Sequence, residues 1–404
     1  MRVDRWRVMI VVTREPTRTP QLATAEAVGI PPWDVAVLAA QLLKLGAEVR
    51  VVDQNAEQLA HRLVRREMKL WRADLVLLHA GGSHVAANPI PDGRPLGALL
   101  AGWSWPAPIL ACGPLAERYG EELLKTLPRL DGVLVGPVPP ALAQGYEPTM
   151  PGIGTLKDGK LVEPVRSEEP LPKVLPAWQL LPLDSYAETS PNGQRAAVIG
   201  PLTDDIDQSL AEVRHAVRRA GARYLVFDDR DLGADPERSS RLARKMFGAA
   251  PGIPWTCRLR ADRAEPAFVL TLARGGCVEV LVVPPVPHDV SAQTPMDDPA
   301  RPRFEGAVEA VRVTGMNAAV LHVVGRPGQS RAMLSAWQRW FRDRRILVRP
   351  EVLLQHAGDR GPGLPTLAES RKQAGCWDNG LSPQDVERAV KMLTAPTQPV
   401  SSGA

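Results

Sequence analysis

Two adjacent carboxylates, Asp228 and Asp229, follow the apolar run Tyr224-Leu225-Val226-Phe227 and so stand at the end of a predicted strand. Neighbours on a strand point to opposite faces, so the two cannot share a proton as a dyad; one can cap the next helix while the other faces a pocket. Arg258 and Arg260, in Trp255-Thr256-Cys257-Arg258-Leu259-Arg260, share one face of another strand. His322 lies near the end of Ala318 to Val324. Asp228, Arg258, Arg260 and His322 are the candidate catalytic residues of this half, provided that strand register turns all four inward. The four cysteines, Cys112, Cys257, Cys277 and Cys376, each lie more than ten residues from the next. That spacing excludes a CxxC or zinc-ribbon pattern and a local disulfide framework, and fits buried thiols in a reducing cytoplasm.

The elements that must position these groups fall into two series. In the first, Val8 to Val12 is a continuous apolar run, as expected of a strand buried on both faces. Pro32 to Leu43 has helical period and stops at Gly46; strands follow at 48–53, 74–78, 108–112 and 132–135, with a helix over 56–70. Strands separated by helix-length segments predict a doubly wound, flavodoxin- or Rossmann-like parallel sheet with its ligand at the carboxyl ends of the strands. Residues 149–195 are a polar, proline-rich connector in which Lys157-Asp158-Gly159-Lys160 signals a small hairpin.

The second series has strands at 196–200, 224–227, 255–259, 278–283, 318–324 and 346–348, separated by helices near 207–220, 236–247, 265–274, 304–314 and 330–343. Five or six such units, depending on whether 346–348 is counted, predict a partial (β/α) barrel of TIM type over 196–360. The domain organisation is thus 1–148, a connector over 149–195, the partial barrel over 196–360, and a tail over 361–404 with one helix from Ser382 to about Leu393. The fold class is α/β throughout.

Composition narrows the function. A chain of 404 residues with 44% hydrophobic residues can bury two or three cores. The net charge is +4, from 49 basic and 45 acidic residues, and only 9 of the basic ones are lysine. No basic stripe interleaved with aromatics points to nucleic acid. No apolar run reaches the ~18 residues of a membrane span, and the N-terminal apolar run is strand-length and lacks a signal-peptide cleavage site.

Several motifs resemble those of the cobalamin-binding radical S-adenosylmethionine family, across the first series and more weakly across the second. Ile30-Pro31-Pro32-Trp33 resembles the start of that family's first helix, and Val51-Val52-Asp53 its second strand. Leu78-His79-Ala80-Gly81-Gly82-Ser83 occupies the loop that approaches the corrin tail. Ala111-Cys112-Gly113-Pro114 and Val135-Gly136-Pro137 resemble the turns after the fourth and fifth strands, where glycine lets backbone approach a flat macrocycle. The connector Pro176-Ala177-Trp178-Gln179-Leu180-Leu181-Pro182 resembles the one that joins the corrinoid domain to the barrel, and Gly325-Arg326-Pro327-Gly328 the turn after barrel strand five. The resemblance implies cobalamin held by Thr13, Arg14, Pro31, Pro32, Asp53, His79, Gly81, Gly82, Ser83, Gly113, Pro114, Gly136 and Pro137. No Asp-x-His-x-x-Gly follows the first strand, so the cofactor is expected base-off with no protein histidine on cobalt.

One departure decides the chemistry. The family carries Cys-x3-Cys-x2-Cys after the first barrel strand, for a 4Fe–4S cluster; here that loop is Pro201-Leu202-Thr203-Asp204-Asp205. Strand four ends in Val282-Val283-Pro284-Pro285, where the family has Gly-x-Glu, which leaves binding of S-adenosylmethionine open. The sequence therefore predicts a cobalamin-binding protein without the cluster. It would act as a non-radical methyltransferase or as a non-catalytic carrier, sensor or scaffold for a partner enzyme. A pair of glycosyltransferase-like Rossmann domains is disfavoured, since no sugar-nucleotide signature is present.

Overall fold

The structure, a computed structural model, describes residues 5–13, 31–54, 56–79, 94–162, 173–187, 194–229, 231–283, 301–324 and 330–352, together with Arg388, which is helical. The predicted helix from Ser382 otherwise lies outside these residues.

The first unit contains β1 (Arg7–Val12), α1 (Trp33–Lys44), β2 (Glu48–Asp53), α2 (His61–Trp71), β3 (Leu75–His79), α3 (Arg94–Leu100), β4 (Ile109–Cys112), α4 (Pro114–Thr126), β5 (Gly132–Leu134), β6 (Ile153–Lys157) and β7 (Lys160–Val162). Its strand order is β2-β1-β3-β4-β5-β6-β7. The first five strands are parallel, and the order reverses between β1 and β3. Val8 to Val11 of β1 are wholly buried, which is why that run carries no alternation.

The last two strands correct the view of 149–195 as connector throughout. β6 pairs antiparallel with β5, and β7 folds back on β6, so residues 153–162 extend the first sheet. Asp158 and Gly159 both have positive φ, the twist that suits a two-residue hairpin turn. Helix α2 also begins later than its apolar period predicts. The chain turns at Asp53 first, where the Asp53 carboxylate accepts from Ala56 N at 2.8 Å and Gln54 Nε2 donates to the Leu59 carbonyl at 3.0 Å.

A short helix, α5 (Leu183–Ala187), closes the connector. The second unit follows with β8 (Ala196–Ile199), α6 (Ile206–Arg219), β9 (Tyr224–Phe227), α7 (Pro236–Ala249), β10 (Trp255–Arg260), α8 (Pro266–Arg274), β11 (Cys277–Val283), α9 (Arg301–Val313), β12 (Asn317–Val324), α10 (Arg331–Asp343) and β13 (Leu347–Val352). The strands stand in chain order, β13-β12-β11-β10-β9-β8, all parallel. This is the partial β/α barrel, and β8 and β13 are its outer strands among the described residues.

The two units share a core. Wholly buried Trp178 sits in a 3-10 turn between them; Ala177 N donates to the Ala36 carbonyl of α1 at 2.8 Å, and His215 Nε2 of α6 lies 3.0 Å from the Pro176 carbonyl. One apolar cluster runs from the α1 side of the first sheet through Trp178 into the helices behind the second.

Candidate functional site

At the reversal point of the first sheet, Thr13 ties two strand ends together. Its backbone N and its Oγ1 each donate to the His79 carbonyl, both at 3.0 Å. His79 ends β3 with its ring buried, and Nε2 lies 2.5 Å from Oδ2 of Asp34 in the first turn of α1. Cys112, at the end of β4, is buried beside them; burial pushes its thiol up first, and the Asp34 charge adds to this. Pro31 and Pro32 are buried just before α1, and the Pro32 carbonyl accepts from Ala36 N at 3.2 Å.

Gly113 takes a φ of 83° before Pro114 opens α4. Gly136 has a φ of +76° and nothing within 4 Å of where a Cβ would stand, so this turn leaves open space at the sheet edge. Gly136 and Pro137 are both exposed. Arg14, Gly81, Gly82 and Ser83 lie outside the described residues. Asp53 is almost fully buried, and its carboxylate is engaged by Ala56 N and by the Tyr186 hydroxyl. Its contacts are those of a residue that fastens the connector.

In the second unit, strand register decides which candidates meet. Trp255, Cys257 and Leu259 are buried toward the helices, while Thr256, Arg258 and Arg260 are half-buried on the other face. Arg258 pairs with Leu281, and Leu281 with Ala319, placing Arg258 on the face free of the helical layer. The expectation that His322 joins them is corrected. Val282 is in register with Val320, and His322 lies two residues on, so it faces the helices. Its ring sits 5.6 Å from that of Trp337 and 5.3 Å from that of Phe341, both on α10. Arg260 is held by Asp262, Nε to Oδ1 at 3.0 Å and Nη2 to Oδ2 at 2.7 Å. Asp228 N donates to the Ile199 carbonyl at 2.9 Å, extending the ladder just past β9.

Two residues, one in each unit, escaped the sequence reading. Asp231 is buried, accepts from Gly233 N at 3.0 Å and Arg260 N at 3.1 Å, and pairs with Arg263 at 2.5 Å, so it ties the ends of β9 and β10 together. Asp34 lies in an ordinary acidic first turn, and only the crossover of α1 above β3 makes it a partner for His79. Cys257 and Cys277 are buried as expected, on the neighbouring strands β10 and β11, and burial pushes the Cys277 thiol well up, with Cys257 adding to it.

A flavodoxin-like sheet fused to a partial barrel is the fold of cobalamin-dependent radical S-adenosylmethionine enzymes, and the resemblance read from the motifs is borne out at the level of the fold. The structure of TsrM from Kitasatospora setae, a radical S-adenosylmethionine methyltransferase with cobalamin and a 4Fe–4S cluster bound, matches with a TM-score of 0.64 at 14% identity, over 92% of this chain and 76% of that one. TsrM with tryptophan substrate and a S-adenosylmethionine analogue matches with 0.60 at 15%, over 86% and 73%. OxsB, a cobalamin-dependent S-adenosylmethionine radical enzyme with aqua-cobalamin and S-adenosylmethionine bound, matches with 0.59 at 13%, over 96% of this chain and 55% of its own. No family model and no curated protein matches the sequence.

Proposed function

We propose that this chain binds cobalamin at the carboxyl edge of the first sheet, between Thr13, Pro31, Pro32, His79, Gly113, Pro114, Gly136 and Pro137, and that Arg14 and Gly81 to Ser83, outside the described residues, take part. The observation that carries the reading is the carboxyl edge of a sheet whose strand order reverses between β1 and β3 and whose turns after β4 and β5 use Gly113 and Gly136 at positive φ, in a fold that matches cobalamin-bound structures. The absence of Asp-x-His-x-x-Gly after β1 supports a cofactor held base-off, without a histidine on cobalt. Asp53 acts behind the site, as a fastener.

Cobalamin, when bound, supplies methyl-transfer chemistry; the chain supplies binding, orientation and a dry site. The loop after β8 is organised by contacts of its own. Asp205 caps α6 through Asp207 N at 3.1 Å and Gln208 N at 3.2 Å, and Arg238 donates to the Leu202 carbonyl at 3.3 Å. None of the four cysteines lies in that loop, which supports a protein that works without an iron–sulfur cluster there. A substrate would lie between the corrin face and the strand ends bearing Asp228, Arg258 and Arg260. The second reading, a carrier, sensor or scaffold serving a partner enzyme, keeps the same cofactor site. On either reading the domains are the first sheet with its hairpin, ending near residue 162, and the partial barrel over 196–360, and the wide spacing of the four cysteines supports work in the reducing cytoplasm. Among the described residues no helix is long and apolar enough to cross a membrane.

Titration with hydroxocobalamin, followed by its visible spectrum and by calorimetry, tests the binding. Incubation of the loaded protein with S-adenosylmethionine and reductant then separates the two readings: methyl transfer to the corrinoid supports the enzyme, its absence the carrier.

A further inference from the structure

Strand β8 ends at Ile199, and Gly200 opens the loop to α6. A Cβ built on Gly200 would run into the indole of Trp33, so this position leaves room for the ring only as glycine. Trp33 belongs to the other unit and is the first residue of α1. Its ring therefore lies across a strand end of the partial barrel. Glu212 of α6 secures it there. Oε1 of Glu212 accepts from the Trp33 indole Nε1 at 2.5 Å and from Gly200 N at 3.0 Å. One oxygen holds both units, through residues 179 positions apart.

The carboxyl has been taken largely out of water. Burial pushes it up to about 7, and the Gly200 and Trp33 donors, in that order, keep it from rising further. The charged groups on the surrounding elements have other partners. Asp34 of α1 is directed at His79, and His215 of α6 at the Pro176 carbonyl. Asp207 of α6 pairs with Lys245 of α7, and Arg238 of α7 bonds the Leu202 carbonyl and Asp204. Asp184 of α5 pairs with Arg195, just before β8. None of these contributes to the shift.

We propose that Glu212 is a proton-operated latch, which holds the Trp33 indole over the strand end of the partial barrel when protonated and releases it when ionised. As the neutral acid, the carbonyl oxygen keeps both N–H bonds without burying a charge. As the carboxylate, the group needs water, and water reaches it when the indole moves away. The folded-state value lies above the ordinary carboxyl value. The joint is therefore firmest at pH below that ordinary value, and its stability is lost as pH rises through about 7. Release would uncover the start of the loop Pro201 to Asp205. The latch is a contact within the chain, so its failure leaves the cobalamin reading untouched.

The test is hydrogen–deuterium exchange of the ligand-free full chain from about pH 5.5 to about pH 8.5, corrected for intrinsic exchange, at Gly200 and the first turns of α1. Up to about pH 7, where the closed state still holds its proton and the open state has lost it, opening in the wild type is expected to grow by up to about tenfold per pH unit, the limit for release of one proton, and to level off above that midpoint. E212Q keeps a neutral acceptor and is expected to stay closed across the range. W33F removes one of the two donors that hold the carboxyl down and is expected to move the midpoint to higher pH; it also serves if E212Q does not fold. A flat wild-type profile, the same profile in E212Q, or an unmoved midpoint in W33F overturns the latch.

Discussion

The Tyr186 hydroxyl, on the connector helix α5, donates to the Asp53 carboxylate at the buried end of β2. Doubly wound sheets commonly offer the residue at this strand end to a ligand. Here the chain's own connector takes it, and the contact fixes the route by which the chain leaves the first sheet for the second.

Tyr186→Phe leaves the ring in place and strips one partner from a buried carboxylate. A loss of about 1–3 kcal/mol in unfolding free energy is expected. The phenol is pushed well above its ordinary value, by burial first and then by Asp53. An acid with a raised folded-state value contributes stability that is lost as pH rises above its unfolded value. The wild type should therefore weaken above about pH 10, and the Phe variant less so. Urea unfolding at neutral and alkaline pH checks both.

Arg258 and His322 should separate stability from function, because they occupy opposite faces of one sheet. His322→Ala removes a ring packed on Trp337 and Phe341 and should cost on the order of 2–4 kcal/mol, as truncation of a buried ring does. Arg258→Ala should change stability by less than about 1 kcal/mol and should abolish any methyl transfer. Thermal melts with a turnover assay distinguish them. The reverse pattern would return His322 to the site.

Anaerobic iron–sulfur reconstitution should leave the loop 201–205 without a cluster, since none of the four cysteines lies in it. Cobalamin-loaded protein with S-adenosylmethionine and a strong reductant should give no 5′-deoxyadenosine above a protein-free control. A cluster absorption band with stoichiometric iron, or that nucleoside, would contradict the non-radical reading.

Much of this architecture was legible because the buried strands are short, continuous apolar runs set between amphipathic helices, as at Val8 to Val12 and Leu75 to Leu78. The hairpin was legible from Asp158-Gly159 alone. The pairing of β6 with the edge of β5 was not, since a short half-exposed strand carries no partner information. His322 was misplaced for a related reason. Periodicity finds a strand but not which face looks inward, and a one-residue slip inverts every side chain. Asp34, Glu212 and Trp33 act through contacts across 45 and 179 positions, which no local pattern encodes.

Gly113→Leu tests the cofactor edge locally. A side chain there would enter the space expected for the corrin or its nucleotide tail, on a backbone already at positive φ. Gly113→Ala carries the same backbone strain, on the order of 1 kcal/mol, with far less bulk. Binding should survive the Ala change in weakened form and be lost with Leu.

The central claim is that the first sheet holds cobalamin, and the visible spectrum of the purified chain after incubation with hydroxocobalamin and gel filtration tests it most directly. The account predicts a corrinoid band that co-elutes with the protein near one equivalent per chain, shaped as for a base-off cofactor, and lost in Gly113→Leu. Protein that emerges colourless, with no heat of binding for any cobalamin form, would contradict it.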